Sequence, residues 1–458
     1  MELSSNFQNC VQNLIAKTSG DQLNELFSRS VYDHTNDYWR SEIRVEAIRK
    51  GLEYIYLLSK NPDVFNTFGN DIIQCFYDLS KVSPEPIRHL TLEYLNVVKT
   101  KWLATLQSGY WKEKEIPNEQ EVMDAAIILY SLQCLNSDVH FGGDLQKYVV
   151  SSQEDDNSGK RLSVMELFGW NPLEESIPST VVDLCVKCHR RNPRRSTNCK
   201  HCNSEVVIIT PYRLLSNSLI YSFYCNMAGI DLECSYDDFL RWLPFLRPYK
   251  SSLELPWKEF VDQCYLITHV IFTLSQWGQL RLQIQQLPHE YLFLQEHLPL
   301  MIQKKDVHLV GEFIQCLRIF GVEENNSSIL DGLQFLLEEQ NADGSWDNQM
   351  MDGFHVDLAY VAYHATMVAI QALIPPMFTG FGCMSESTEE IVSRWYSTEF
   401  LRCEPIPSPL PSENIENDFM KDMRLASMED NLDLIFDSIP SILQHIQDRR
   451  LTRRYDCL

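Results

Sequence analysis

Glycine is scarce in this chain, at 17 of 458 residues, and no alternating apolar–polar pattern runs for long. That excludes a sheet-dominated architecture, which needs period-two text punctuated by turns. Basic residues are also in deficit. There are 39 Lys and Arg against 63 Asp and Glu, a formal net charge of −24, which argues against nucleic acid or an anionic membrane as the main partner. Every apolar run meets polar residues well before 18 positions, so no membrane-spanning helix is expected. The segment MELSSNFQNC has neither a basic n-region nor an apolar h-region, and Cys457 stands too close to the end for a prenylation box. Fourteen cysteines are too few for a disulfide scaffold in a chain of this size. Several, such as Cys134 and Cys316, sit in apolar helical runs and fit a reducing compartment. The expected location is cytoplasmic, with the nucleus also open to it.

What is present points to an all-α protein built of α-hairpins. Hydrophobic content of 44% with 11% aromatics supports a real core. Apolar positions recur at three and four, as at Val45, Ile48, Leu52, Ile55 and Leu58. Successive hairpins suggest repeats in two blocks. Residues 1–150 read as a helical repeat domain, 151–179 as a linker, 180–208 as a cysteine module and 209–378 as a second helical domain. Residues 379–458 read as an acidic tail with a proline linker, EPIPSPLPSE, that suits either a plain spacer or a polyproline ligand.

Cys185, Cys188, Cys199 and Cys202 give C-x2-C, ten residues, C-x2-C. Each pair can grip one ion from a tight knuckle, and two pairs complete a tetrahedral four-thiolate shell, the arrangement of structural zinc. Such a closed shell has no open position for chemistry. The span resembles a small zinc ribbon. Its interior is rich in arginine, with Arg190, Arg191, Arg194 and Arg195. These residues suit docking on the acidic body of the protein, solubility, or contact with nucleic acid.

Residues 332–346 carry a second pattern: Gly332, Leu336, Gln340, Gly344 and Trp346. It resembles the QW repeat of terpene cyclases and related α/α-toroid proteins, with Asp331 where a basic residue usually stands. A shorter copy ends in Gln107, Gly109 and Trp111. The resemblance implies a toroid-like block over about 211–378 and, more loosely, 40–150. The cyclase acid motif DxDD and the isoprenoid motif DDxxD are both absent. The stretch from Asp357 through Tyr363, His364 and Thr366 resembles the last helix of protein prenyltransferase β subunits, by which His364 would be a zinc ligand. The Asp-x-Cys partner of that family is missing, as are the signatures of lanthionine cyclases.

His269, His308 and His364 fall on consecutive helical hairpins. In a toroid, equivalent points on inner helices face one cavity, where three imidazoles could hold a second, catalytic metal ion. Glu312, Asp306, Asp352 and Asp357 supply nearby carboxylates, and Glu312 needs a partner (Arg318 or a histidine) in so apolar a segment. The alternative is that these histidines are core residues bonded to backbone carbonyls. Two functional readings follow. One is a ligand-binding or catalytic pocket using His269, His308, His364, Glu312 and Asp357 on a small molecule or peptide. The other is a scaffold for protein partners with purely structural zinc. Nucleic-acid binding through the basic ribbon ranks last.

Overall fold

The computed structural model describes residues 42–107, 127, 128, 130–132, 134, 164–174, 176, 177, 182–185, 191, 192, 198, 199, 201–204, 206–228, 230, 232–347 and 358–395. The described residues up to 391 fall in one compact unit, and that unit is predominantly α-helical. Its first helices are α1 (Glu42–Leu58), α2 (Pro62–Val82) and α3 (Ile87–Gln107). A short helix, α4 (Val164–Phe168), precedes a three-stranded antiparallel sheet of β1 (Val182–Cys185), β2 (Arg191–Asn192) and β3 (Val206–Ile209), in the order β2-β1-β3. Then come α5 (Pro211–Ala228), α6 (Tyr236–Leu240), α7 (Trp257–Leu274), α8 (Pro288–Lys304), α9 (Val307–Ile319), α10 (Ser327–Glu338) and α11 (Leu358–Leu373).

Local chemistry starts these helices. Asn61 caps α2 by accepting from the amides of Asp63 and Val64, and Pro62 follows at the first helical position. Asn326 caps α10 in the same way. Helix α9 is capped by Asp306, whose Oδ1 accepts from the Leu309 amide at 3.0 Å. All but one of its thirteen residues are buried, which marks a central helix rather than an amphipathic surface one.

Helix α5 packs on α7, α7 on α9, α9 on α11, and α11 on both α1 and α2. Gln74 Nε2 of α2 reaches Tyr224 Oη of α5 at 3.5 Å, so this succession of contacts returns to its start. Helices α8 and α10 pack on α9 and on each other. Helices on either side of the cysteine module therefore share one core. Gly51 of α1 lies so close to Ile370 and Trp346 that a Cβ there would meet both at under 3 Å.

The residues of the QW-like pattern fasten this junction. Trp346 is fully buried and donates from Nε1 to the Leu336 carbonyl at 2.6 Å. Gln340 Nε2 donates to the carbonyls of Gly344 (3.1 Å) and of Ala47 in α1 (2.9 Å). Gly344 turns with φ +92°, and a Cβ there would sit 2.5 Å from the Lys50 carbonyl oxygen. The pattern thus binds the end of α10 to α1, more than 280 residues earlier.

A second glycine sets the approach of α9 to α11. A Cβ on Gly311 would stand 2.6 Å from Val368 Cγ1 and 3.0 Å from the Val368 carbonyl oxygen. Backbone there leaves no room for relaxation. Gly311→Ala is expected to cost about 1–3 kcal/mol, read as a lowered midpoint in denaturant. An unchanged midpoint would show that the two helices can part freely.

Candidate functional sites

Two groups of chemistry-bearing residues emerge. The first is the cysteine module. Cys185 ends β1, where it pairs with Val206 of β3, and Cys199 and Cys202 lie on the turn before β3. The sulfurs of Cys185, Cys199 and Cys202 all lie within 4.8 Å of one another, with Cys185 and Cys202 at 3.3 Å. Cys185 and Cys199 are almost fully buried. The His201 amide donates to Cys199 Sγ at 3.4 Å, and Asn203 takes a left-handed φ of +60° to donate to the Cys199 carbonyl at 2.8 Å. An amide N–H directed at sulfur favours the thiolate, and three converging soft donors fit a metal ion. Cys188 lies outside the described residues.

The second group is a hydrogen-bond network across α7 and α9 with α11 against it. Tyr265 Oη bonds His308 Nδ1 at 2.9 Å, and His308 Nε2 bonds Glu312 Oε1 at 2.9 Å. Thr268 Oγ1 donates to Glu312 Oε2 at 2.6 Å. His269 Nδ1 meets the Tyr265 carbonyl at 2.7 Å. The His308 and His364 rings lie 4.4 Å apart, one helical turn before the Gly311–Val368 contact that lets their helices approach. The Arg213 guanidinium from α5 sits 4.9 Å over the Tyr265 ring.

Burial depresses all three imidazoles. His269 and His308 fall to about 4 and His364 to about 3, desolvation being the largest cause in each. Glu312 pulls the other way on His269 and His364, and Asp306 on His308, without overcoming it. At neutral pH the rings are therefore neutral, and the acceptors fix their tautomers. His308 carries its proton on Nε2 for the carboxylate and accepts from Tyr265 on Nδ1. His269 carries its proton on Nδ1 for the carbonyl, which leaves Nε2 with a lone pair. The His308–Glu312 contact is a neutral imidazole donating to a carboxyl group rather than an ion pair.

The structure thus bonds His308 and Glu312 to each other and to Tyr265 and Thr268, sets His269 against the Tyr265 carbonyl, and brings the His364 ring to 4.4 Å from that of His308. Among the described residues the cysteine group alone has three or more His, Cys, Asp or Glu donors within 4.8 Å of one another. The second metal ion has no such cluster there, because Glu312 is already spent on His308 and Thr268. The expected partner of Glu312 is accordingly a histidine. Arg318 pairs instead with Glu324, and Asp306 serves as a helix cap. Asp357, Asp352 and His355 lie outside the described residues. Sequence reading missed Tyr265 and Thr268. Tyr265 stands one helical turn before His269 and could have been found from that spacing, whereas nothing in the text marks Thr268.

These observations define a mostly helical protein with a cysteine cluster able to hold a metal ion. The model of a family described as a domain of unknown function, DUF6895, matches residues 185–374. That span begins at Cys185, the last residue of β1, and ends one residue beyond α11, so it contains all four cysteines of the module and every residue of the histidine network. No curated protein and no solved structure matches the chain. No helix among the described residues is long and apolar enough to cross a membrane.

Proposed function

We propose that this protein is a zinc-stapled, toroid-like helical module whose inner helices enclose a chamber for a small polar ligand, with His269, His364 and Tyr265 on its wall. The observation that carries this is the coexistence of accessibility and enclosure. Asp78 of α2, Tyr224 of α5, His269 of α7 and His364 of α11 are each part-buried and keep solvent-accessible surface. Yet desolvation dominates the pKa shift of every one, raising Asp78 to about 8. Groups that water reaches but protein surrounds line a concavity.

The Tyr265–His308–Glu312 chain has the logic of an oriented base. The carboxylate holds the imidazole in one tautomer, and the imidazole accepts from the phenol. Such a wall can hold or move a proton at Tyr265 Oη or His269 Nε2. Zinc at Cys185, Cys188, Cys199 and Cys202 would be purely structural, holding a sheet too small for a core of its own.

The test uses diethyl pyrocarbonate, which acylates neutral imidazole nitrogen. At pH 6 in the folded protein, His269 and His364 are expected to react while His308, bonded at both nitrogens, is protected. Protection of all three until denaturant unfolds the chain would close the chamber and leave packing as their role. One observation favours the alternative, a partner-binding scaffold. Leu173 and Phe245 are each more than half exposed beside Trp242, whose Nε1 donates to the Pro172 carbonyl. That outcome of the labelling would shift weight to this apolar face.

A further inference from the structure

The cysteine module also carries the means to let its ion go, because its three described sulfurs are not equivalent. Cys185 is 1% and Cys199 2% exposed, whereas Cys202 is only part-buried. Cys199 is withdrawn further by its own turn. Its amide donates to the Ser204 carbonyl at 2.7 Å, its carbonyl accepts from the Asn203 amide at 2.8 Å, and its Sγ accepts from the His201 amide at 3.4 Å. A sulfur that accepts an N–H is a weaker nucleophile, since the hydrogen bond draws on the electron pair that would attack. Cys202 is therefore the sulfur that a small oxidant from solvent meets first.

Cys185 is placed to answer it. The sulfurs of Cys185 and Cys202 lie 3.3 Å apart, and a disulfide requires about 2.0 Å, so closing the pair needs a shift of roughly 1 Å. The two residues reach this point from different places. Cys185 ends β1, where Val206 of β3 pairs with it, and Cys202 stands 17 positions later on the turn before β3. A bond between them closes the same loop that the ion closes. The ends of the module then stay together after the ion has gone, which makes the change reversible rather than a collapse.

The module is coupled to the helices that carry the histidine network. β3 ends at Ile209 and α5 starts at Pro211, with Thr210 alone between them. Thr210 is buried, and its hydroxyl donates to Asp262 Oδ2 of α7 at 3.0 Å and accepts from the Arg213 amide at 3.2 Å. Arg213 in turn lies over the Tyr265 ring. Loosening of β3 thus passes to the first turn of α5 and to its contact with α7.

We infer that the cysteine module is a peroxide-sensitive switch, in which oxidation joins Cys185 to Cys202, expels the metal ion and loosens the first turn of α5. This rests on the metal reading of the module. The Cys202 thiolate attacks one oxygen of hydrogen peroxide, the O–O bond breaks, and hydroxide leaves as water after taking a proton from solvent. The Cys185 thiolate then attacks the sulfur of the resulting sulfenic acid. The S–O bond breaks, a second hydroxide leaves as water in the same way, and the S–S bond forms. The two sulfurs give up two electrons and one peroxide receives them. Cys188 and Cys199 alone are too few ligands to hold zinc.

The experiment uses the wild-type full chain throughout. Elemental mass spectrometry first counts zinc. Its absence at this stage sinks the metal reading and the switch together, whereas a later failure in a zinc-bearing protein sinks the switch alone. Hydrogen peroxide is then added in modest excess, zinc release is followed with a chromogenic chelator, and disulfides are mapped by peptide mass spectrometry after alkylation. The expected result is loss of the ion from most chains, a Cys185–Cys202 link, and full rebinding of zinc after a thiol reductant. Amide exchange should quicken over 206–214 and stay unchanged in α9. Zinc retained while the same peroxide oxidises glutathione, a Cys199–Cys202 link in place of the expected one, ion loss that the reductant does not reverse, or unchanged exchange over 206–214 would each overturn the assignment.

Discussion

Glu324→Gln is expected to destabilise the protein by about 3–5 kcal/mol, the cost of stranding buried charge. Glu324 accepts from Arg44 Nη1 at 2.9 Å and Nη2 at 2.8 Å, and from Arg318 Nη2. Arg44 is wholly buried and Arg318 nearly so. Other donors of the pair go to the end of α11: Arg44 Nε to the Leu373 carbonyl at 2.5 Å, and Arg318 Nη1 to the carbonyls of Ala372 and Ile374. Two guanidinium groups thus satisfy the last carbonyls of a helix and meet its negative dipole end, and both bond the carboxylate of Glu324. Glutamine keeps the shape and removes that charge. Two buried cations then lose the carboxylate they share. Equilibrium unfolding in guanidinium chloride measures the effect. Glu46→Gln is the control, since its partner Arg49 is about half exposed and such pairs contribute roughly 0–1 kcal/mol. A Glu324→Gln protein within about 1 kcal/mol of wild type would mean that the buried charges are not sensed as drawn.

The second large effect concerns the cysteine module. One zinc per chain is expected in the wild-type protein and none in Cys199→Ser, read by elemental mass spectrometry. The His269→Ala/His364→Ala double variant should keep its single ion, because among the described residues the histidines do not join a cluster of three close metal-ligating groups. Strands of four, two and four residues cannot bury enough apolar surface to hold themselves. Structural zinc sites supply about 10–16 kcal/mol of apparent binding energy, which becomes folding energy. Loss of metal should therefore also expose 182–209 to rapid amide exchange while α7 and α9 stay protected. Full metal content in Cys199→Ser would remove the cysteines as the site. A second ion lost from the histidine variant would restore the catalytic-metal reading.

The helices were legible because they are written locally. Periodicity at Val45 to Leu58 marks a helix without help from the rest of the chain. The metal knuckles were legible for the same reason, since C-x2-C brings two sulfurs together within one turn. The convergence of His269, His308 and His364 was expected only through the family resemblance. Helix periodicity does not fix which way a buried helix is rotated, and α9 is buried on nearly every side. What the text could not show was the chemistry of that meeting. Thr268 and Tyr265 consume the donors and acceptors that a metal would need, and both look like ordinary core positions.

The sequence by itself determined the helical class, the cysteine cluster and the positions of the histidines, because each depends on spacings within about one or two helical turns. The tertiary structure alone decided that α1 closes against α11, that Glu324 and not Glu312 answers Arg318, and that Trp277 stacks with Tyr224 and Phe272. Those are contacts between residues tens to hundreds of positions apart. They arise from close backbone approach at Gly51, Gly311 and Gly344 and from the demand that every buried charge find a partner, neither of which a local pattern encodes.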